Sequence, residues 1–127
     1  MDNLRKNKEL VIEYFNAISG VKKTRNLMEK YLSDNQLIEH IEFFDSVFPA
    51  YEIFADEITA EGNRVVVKAR LKGRHQGELS GIPPTQKKVE VPFAIGYEIE
   101  NNKIINHWMI FDQMMLMEQL GVMNAVG

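Results

Sequence analysis

The sequence predicts an α+β fold in which helices cover one face of a curved antiparallel sheet. Two observations carry the prediction. Apolar residues recur at helical spacing as far as Phe48 and at every second position from Tyr51 onward. Between two of the strands so marked, the run GRHQGELSGIPPTQ, Gly73 to Gln86, has the composition of a chain leaving a sheet through a tight turn and a rigid Pro-Pro corner. Helices first, then a meander, then a short helix is the element order of α+β architecture. The 127 residues fit one domain spanning 1–127, large enough to bury roughly two-thirds of the surface its unfolded chain exposes.

The first helix is marked by Leu4, Val11, Ile12, Phe15 and Ile18 on one stripe, with Gly20 placed to end it. A second, short helical pattern follows in Leu27, Met28, Tyr31 and Leu32. The third has a start signal, Ser33 as N-cap with Gln36 three residues on, then Leu37, Ile38, Ile41, Phe44 and Phe48 on one face until Pro49 stops it. Tyr51, Ile53 and Ile58 mark a first strand, and Glu61-Gly62-Asn63 turns it. From Arg64 to Gln76 the alternation is strict: Val65, Val67, Ala69, Leu71, Gly73 and His75 share one face, while Arg64, Lys68, Arg70, Lys72 and Arg74 share the other. Strands follow over residues 88–100 and 103–111, joined by Asn101-Asn102, and a last helix over 112–120 is closed by Gly121.

Composition narrows the function. A hydrophobic fraction of 45% and a charged fraction of 26% are those of a soluble globular protein. No apolar run approaches the roughly 20 residues a membrane helix needs, and the N-terminus lacks a signal-peptide core, so the expectation is a cytoplasmic protein. The absence of cysteine rules out disulfides, thiolate metal sites and a cysteine nucleophile. A net charge of −3 gives no general attraction to nucleic acid, and the basic stripe of the second strand reads as a solvated face balanced by Glu90, Glu98 and Glu100. The three histidines fall in separate elements without a metal-ligand spacing, so no metal site is expected.

Gly73, His75, Gly77, Gly81, Ile82, Pro83, Pro84 and Thr85, then Lys103, Ile104, Trp108 and Asp112, then Gln119-Leu120-Gly121 form a pattern that resembles the SnoaL-like polyketide cyclase (ester cyclase) family of the nuclear-transport-factor-2-like superfamily. The resemblance implies a cone-shaped barrel enclosing a pocket, and a homodimer. For true cyclases it implies an intramolecular aldol closure without metal or organic cofactor, with Asp112 as the base. Two departures stand out: Gln86 occupies a position where glycine is usual, and the segment between Tyr31 and Phe48 is short.

Each candidate has a chemical and a structural reading. Asp112, at a strand-to-helix junction, is either a base whose pKa burial raises or the cap of the following helix. His75, on an apolar face, is either a hydrogen-bond donor or orienter in the site or a core histidine. Trp108 and Ile110 share the parity of Asp112 and form either a ring-shaped ligand's wall or plain core, and the same parity turns His107 away from the pocket. Phe15 is a weaker candidate for the opposite wall, and His40 for the pocket mouth. Met109, Met114, Met115, Met117 and Met123 crowd the C-terminus as soft filler, pocket lining or dimer contact. Large apolar groups on both faces of the last strand argue that a second copy covers the outer one. The expected ligand is small, apolar or carbonyl-containing, and the expected function is cofactor-free acid/base chemistry. The alternative is a non-catalytic dimeric binding module.

Overall fold

The computed structural model describes residues 2–122. Helices α1 (Asp2–Ile18), α2 (Arg25–Glu29) and α3 (Asn35–Val47) precede strands β1 (Glu52–Glu61), β2 (Arg64–Arg74), β3 (Lys88–Glu100) and β4 (Lys103–Phe111), and α4 (Gln113–Leu120) follows. The sheet order is β1-β2-β3-β4 with every pair antiparallel. Four strands curve but do not close, so the expected barrel is an open, curved sheet with helices over one side. None of the described helices is long and apolar enough to cross a membrane.

The helices are set by their apolar stripes and caps. The buried stripe of α1 is Leu10, Val11, Tyr14, Phe15 and Ile18; Ile12 lies outside it, 43% exposed, because Tyr14 takes the inward position. The start of α3 falls one residue later than the Ser-x-x-Gln pattern indicates. Asp34 is the N-cap, its Oδ1 accepting the Leu37 amide at 3.1 Å. Ser33 is tied into the sheet instead, donating its amide to the Ile104 carbonyl at 2.9 Å beside the Leu32–Ile104 bridge.

Alternation in β2 holds throughout: Val65, Val67, Ala69 and Leu71 are buried and the basic residues point out. Their balance comes from both neighbours. Arg70 meets Asp56 at 2.9 Å and Glu90 at 3.2 Å, Lys72 lies 3.9 Å from Glu90, Lys68 lies 3.5 Å from Glu57, and Arg64 pairs in register with Glu98. Glu100 stands instead opposite Lys103, at the turn.

The β3–β4 hairpin contains the feature that decides the site. Glu100 pairs with Lys103 and Ile99 with Ile104, but the next pair is Glu98 with Asn106, which leaves Ile105 as an extra residue. A bulge of one residue exchanges the two faces of everything beyond it. Without it, Trp108 and Ile110 would continue the inward face begun by buried Ile104. With it, His107, Met109 and Phe111 stand opposite Tyr97, Ile95 and Phe93 on the inner face, and Trp108 and Ile110 stand opposite Gly96 and Ala94 on the outer one.

The excursion between β2 and β3 is pinned at both ends. His75 donates its amide to the Lys87 carbonyl and accepts from the Gln86 amide, both at 2.9 Å, while Gln76 and Gly77 donate to the Val47 carbonyl at the end of α3. Gln86 has φ of 63°, a left-handed conformation that a side chain disfavours. Glycine holds this conformation without strain, and Gln86→Gly is expected to raise stability by about 0.5–1 kcal/mol, measured as a higher urea midpoint at unchanged m.

Candidate functional site

Helices α1 and α3 and the inner face of the sheet enclose a cavity of about 40 Å³. Its walls are aliphatic and aromatic: Phe15 and Ile18 from α1, Leu37, Ile41 and Phe44 from α3, and Ile95, Phe93, Met109 and Phe111 from β3 and β4. Half-exposed Phe44, Phe93 and Phe111, with exposed His40, form its mouth. The Phe44 and Phe111 rings lie 5.6 Å apart.

Three tyrosines supply most of the polarity. Tyr14, Tyr51 and Tyr97 line the cavity and are 2%, 5% and 3% exposed. Among the described residues none of their hydroxyls has a hydrogen-bond partner, and none is sealed from the cavity or solvent as a buried orphan. Burial, and after it the neighbouring phenols, push the Tyr14 hydroxyl well above its ordinary range, with Tyr97 and Tyr51 raised likewise, mainly by burial. Each therefore stays protonated, a donor with nothing to donate to. Beneath Tyr51 lies the buried ammonium of Lys23, 3.9 Å from the ring centroid, donating to the carbonyls of Tyr51 at 2.8 Å and Val21 at 2.9 Å and standing 3.6 Å from Asp45. Its burial lowers the Lys23 pKa, against the opposing pull of Asp45.

Beside the tyrosines sits a carboxylate–imidazole pair. His107, brought inward by the bulge, places Nδ1 2.6 Å from Oδ2 of Asp34, and the two side chains are 7% and 8% exposed. Asp34 is fixed from its other oxygen by the α3 cap. A carboxylate accepts only, so Nδ1 donates and the neutral imidazole keeps its lone pair on Nε2. Nε2 has no protein partner among the described residues and is not sealed. Neither residue of the pair lines the cavity; Tyr97, the cross-strand partner of His107, does, and the His40 ring lies 6.2 Å from that of His107. Among the described residues no group of three histidine or carboxylate side chains is arranged to hold a metal ion.

The sequence model of the SnoaL-like polyketide cyclases matches residues 14–120. The chain belongs to that family. No curated protein sequence matches it. Among solved structures it is similar to AclR from Streptomyces galilaeus, a candidate hydroxylase, with TM-score 0.82 and 20% identity over 98% of this chain and 86% of that one. A candidate SnoaL-like polyketide cyclase from Jannaschia sp. CCS1 gives TM-score 0.81 and 23% identity, covering 94% of both chains. IdmH from Streptomyces antibioticus, a candidate polyketide cyclase, gives 0.76 and 17%, covering 91% of this chain and 99% of that one. At these identities the likeness establishes the shared fold.

Within this SnoaL-like chain the residues singled out from sequence are not brought together. Phe15 and His40 line the cavity. Asp112 is exposed and serves as the N-cap of α4, accepting the Met115 amide at 2.9 Å, and no wall of the cavity includes it. Asp112→Ala is accordingly expected to lower stability by about 1 kcal/mol, read by thermal or urea unfolding. His75 is fully buried outside the cavity: the Thr85 amide donates to its Nδ1 at 3.1 Å, which leaves the proton on Nε2, and that atom has no partner. Its ring centroid lies 5.7 Å from that of Phe48. Trp108 (48% exposed) and Ile110 (69%) face outward, the indole lying over Gly96, where a Cβ would run into it. Of the methionines, Met109 lines the cavity, Met115 and Met117 are half-buried, Met114 is exposed, and Met123 lies outside the described residues. Sequence reasoning passed over Asp34, Tyr14, Tyr51 and Tyr97 and turned His107 outward. The available signal was in β3, where Val91, Phe93, Ile95, Tyr97 and Ile99 alternate with small or polar residues and so require apolar partners from β4 on the same face.

Proposed function

We propose that this SnoaL-like protein is a cofactor-free acid/base enzyme that enolises a carbonyl substrate, with His107 as the proton-transfer group, Asp34 as its positioning residue and the tyrosine hydroxyls as enolate stabilisers. The observation that carries this reading is the 2.6 Å Asp34–His107 pair on the inner face of the sheet. In the reaction, Nε2 of His107 takes the proton from the carbon next to the carbonyl. The C–H electron pair moves into the new C=C bond, and the carbonyl oxygen gains the charge. Phenolic O–H groups in a dry cavity stabilise that oxyanion far better than water does, because they are already oriented and no solvent has to reorganise. Asp34 stabilises the imidazolium that forms. Return of the proton to another carbon gives isomerisation; attack of the enolate carbon on a second carbonyl of the same substrate gives the aldol ring closure of an ester cyclase, with the proton delivered to the new alkoxide.

Asp112 is the other base this family reading offers, and its use as an exposed cap supports it less well, since backbone donors on a carboxylate weaken it as a base. The reading includes a homodimer through the outer sheet face, supported by exposed Val66, Trp108 and Ile110. Deuterium incorporation from D2O into small cyclic ketones and β-ketoesters, followed by NMR, tests the function. Exchange above the buffer rate is expected; a panel without any leaves the non-catalytic binding module as the correct reading.

A further inference from the structure

We infer that the cavity takes a neutral, single-ring substrate bearing an uncharged carbonyl or phenolic oxygen, and rejects carboxylates and fused polycycles. The inference rests on the acid/base reading above and specifies what that site accepts.

Charge is decided by the walls. None of the lining residues is Asp, Glu, Lys or Arg. The nearest buried cation, Lys23, is committed to two carbonyls and to Asp45. The nearest buried anion, Asp34, is held by His107 and would repel a carboxylate. Stripping an anion of water here meets no counter-charge, which costs several kcal/mol. A neutral oxygen meets the opposite situation: Tyr14, Tyr51 and Tyr97 offer hydroxyl donors that no protein acceptor uses. The Tyr14 and Tyr97 rings lie 6.0 Å apart at 90°, so these two phenols pack edge to face in one part of the wall.

Size is decided by the space. At about 40 Å³ the cavity is well below the roughly 150 Å³ that holds benzene in a rigid apolar core. One ring requires the Phe44 and Phe111 rings at the mouth to swing aside. A fused polycycle would have to displace α3, which the Asp34 cap, the Lys23–Asp45 contact and the Gln76 and Gly77 amides hold in place.

The test is an NMR titration of the full chain at pH 7 with p-cresol, 2-cyclohexenone, toluene, p-toluate and 2-naphthol, repeated on Tyr14→Phe, Tyr97→Phe and His107→Gln. We expect p-cresol and cyclohexenone to shift resonances of the cavity lining, and p-toluate and 2-naphthol to bind more than about tenfold weaker than p-cresol. Each Tyr→Phe change should weaken p-cresol by about 3- to 10-fold and leave toluene unchanged, which also shows that the variant cavity is intact. Equal affinity for p-toluate or 2-naphthol, no binding of p-cresol, or Tyr→Phe variants that hold p-cresol as tightly as the wild type would overturn the inference. His107→Gln separates the two ideas: it should keep p-cresol affinity within twofold. Expected binding without any deuterium exchange in the wild type sinks the catalytic reading alone, and exchange with the wrong binding preferences sinks this one alone.

Discussion

Replacing His107 with glutamine is expected to lower enzyme-dependent deuterium exchange by about 10²–10⁴, the range a positioned proton-transfer group contributes. Glutamine can still donate to Asp34, so the loss should come with little change in unfolding midpoint. Asp34→Asn probes the pair from the other side. Asparagine is as good an N-cap as aspartate, so α3 should keep its start, while the fixed anion that orients and stabilises the imidazolium is gone. A fall of about 10- to 100-fold in kcat with KM nearly constant is expected, in line with the loss of an outer partner to a working histidine. Asp112→Asn should leave the exchange rate within twofold. The opposite ranking, with Asp112→Asn inactive and His107→Gln active, would move the chemistry to the end of β4 and refute His107 as the proton-transfer group.

The largest effect on stability is expected from Gly77→Ala. Gly77 donates its amide to the Val47 carbonyl at 3.0 Å, and a Cβ on it would overlap the Ser46 carbonyl oxygen and crowd the Ser46–Val47 backbone. Both clashing parties are main chain, so no rotamer change relieves the contact. A loss of about 2–4 kcal/mol is expected, measured as a lowered urea midpoint. Because the displaced segment is the C-terminal end of α3, which carries Phe44 and His40 to the cavity mouth, the surviving folded fraction should also bind p-cresol less tightly.

Much of the architecture was legible because local chemistry and global packing agree. The changeover from period 3.6 to period 2 after Phe48, the alternation of β2, the two-residue turn at Asn101-Asn102 and the glycine that closes α4, with φ of 74°, each require only neighbouring residues to be read. The site was less legible, since it depends on pairings across the chain. Asp34 and Ser33 are both good caps, and the choice between them is made by His107 and Ile104, which lie more than 70 positions away. Apolar spacing marks Ile12 but not Tyr14, although a phenol ring buries as readily as an aliphatic side chain and Tyr14 lines the cavity. The parity of β4 was misjudged because both its faces are apolar, so its residues alone could not reveal that Ile105 is supernumerary.

Ile105 makes hairpin register, rather than side-chain chemistry, the variable that sets what this strand presents to the interior. The imidazole of His107 and the indole of Trp108 are adjacent with opposite parity, and the bulge decides which of them the interior receives. Deleting Ile105 would leave Asn106 to Phe111 on the faces they hold now, whereas a regular ladder that kept Ile105 in register would turn Trp108 and Ile110 inward and send the histidine out. What the interior receives from this strand is thus settled by the register of one hairpin, at a point outside the cavity wall.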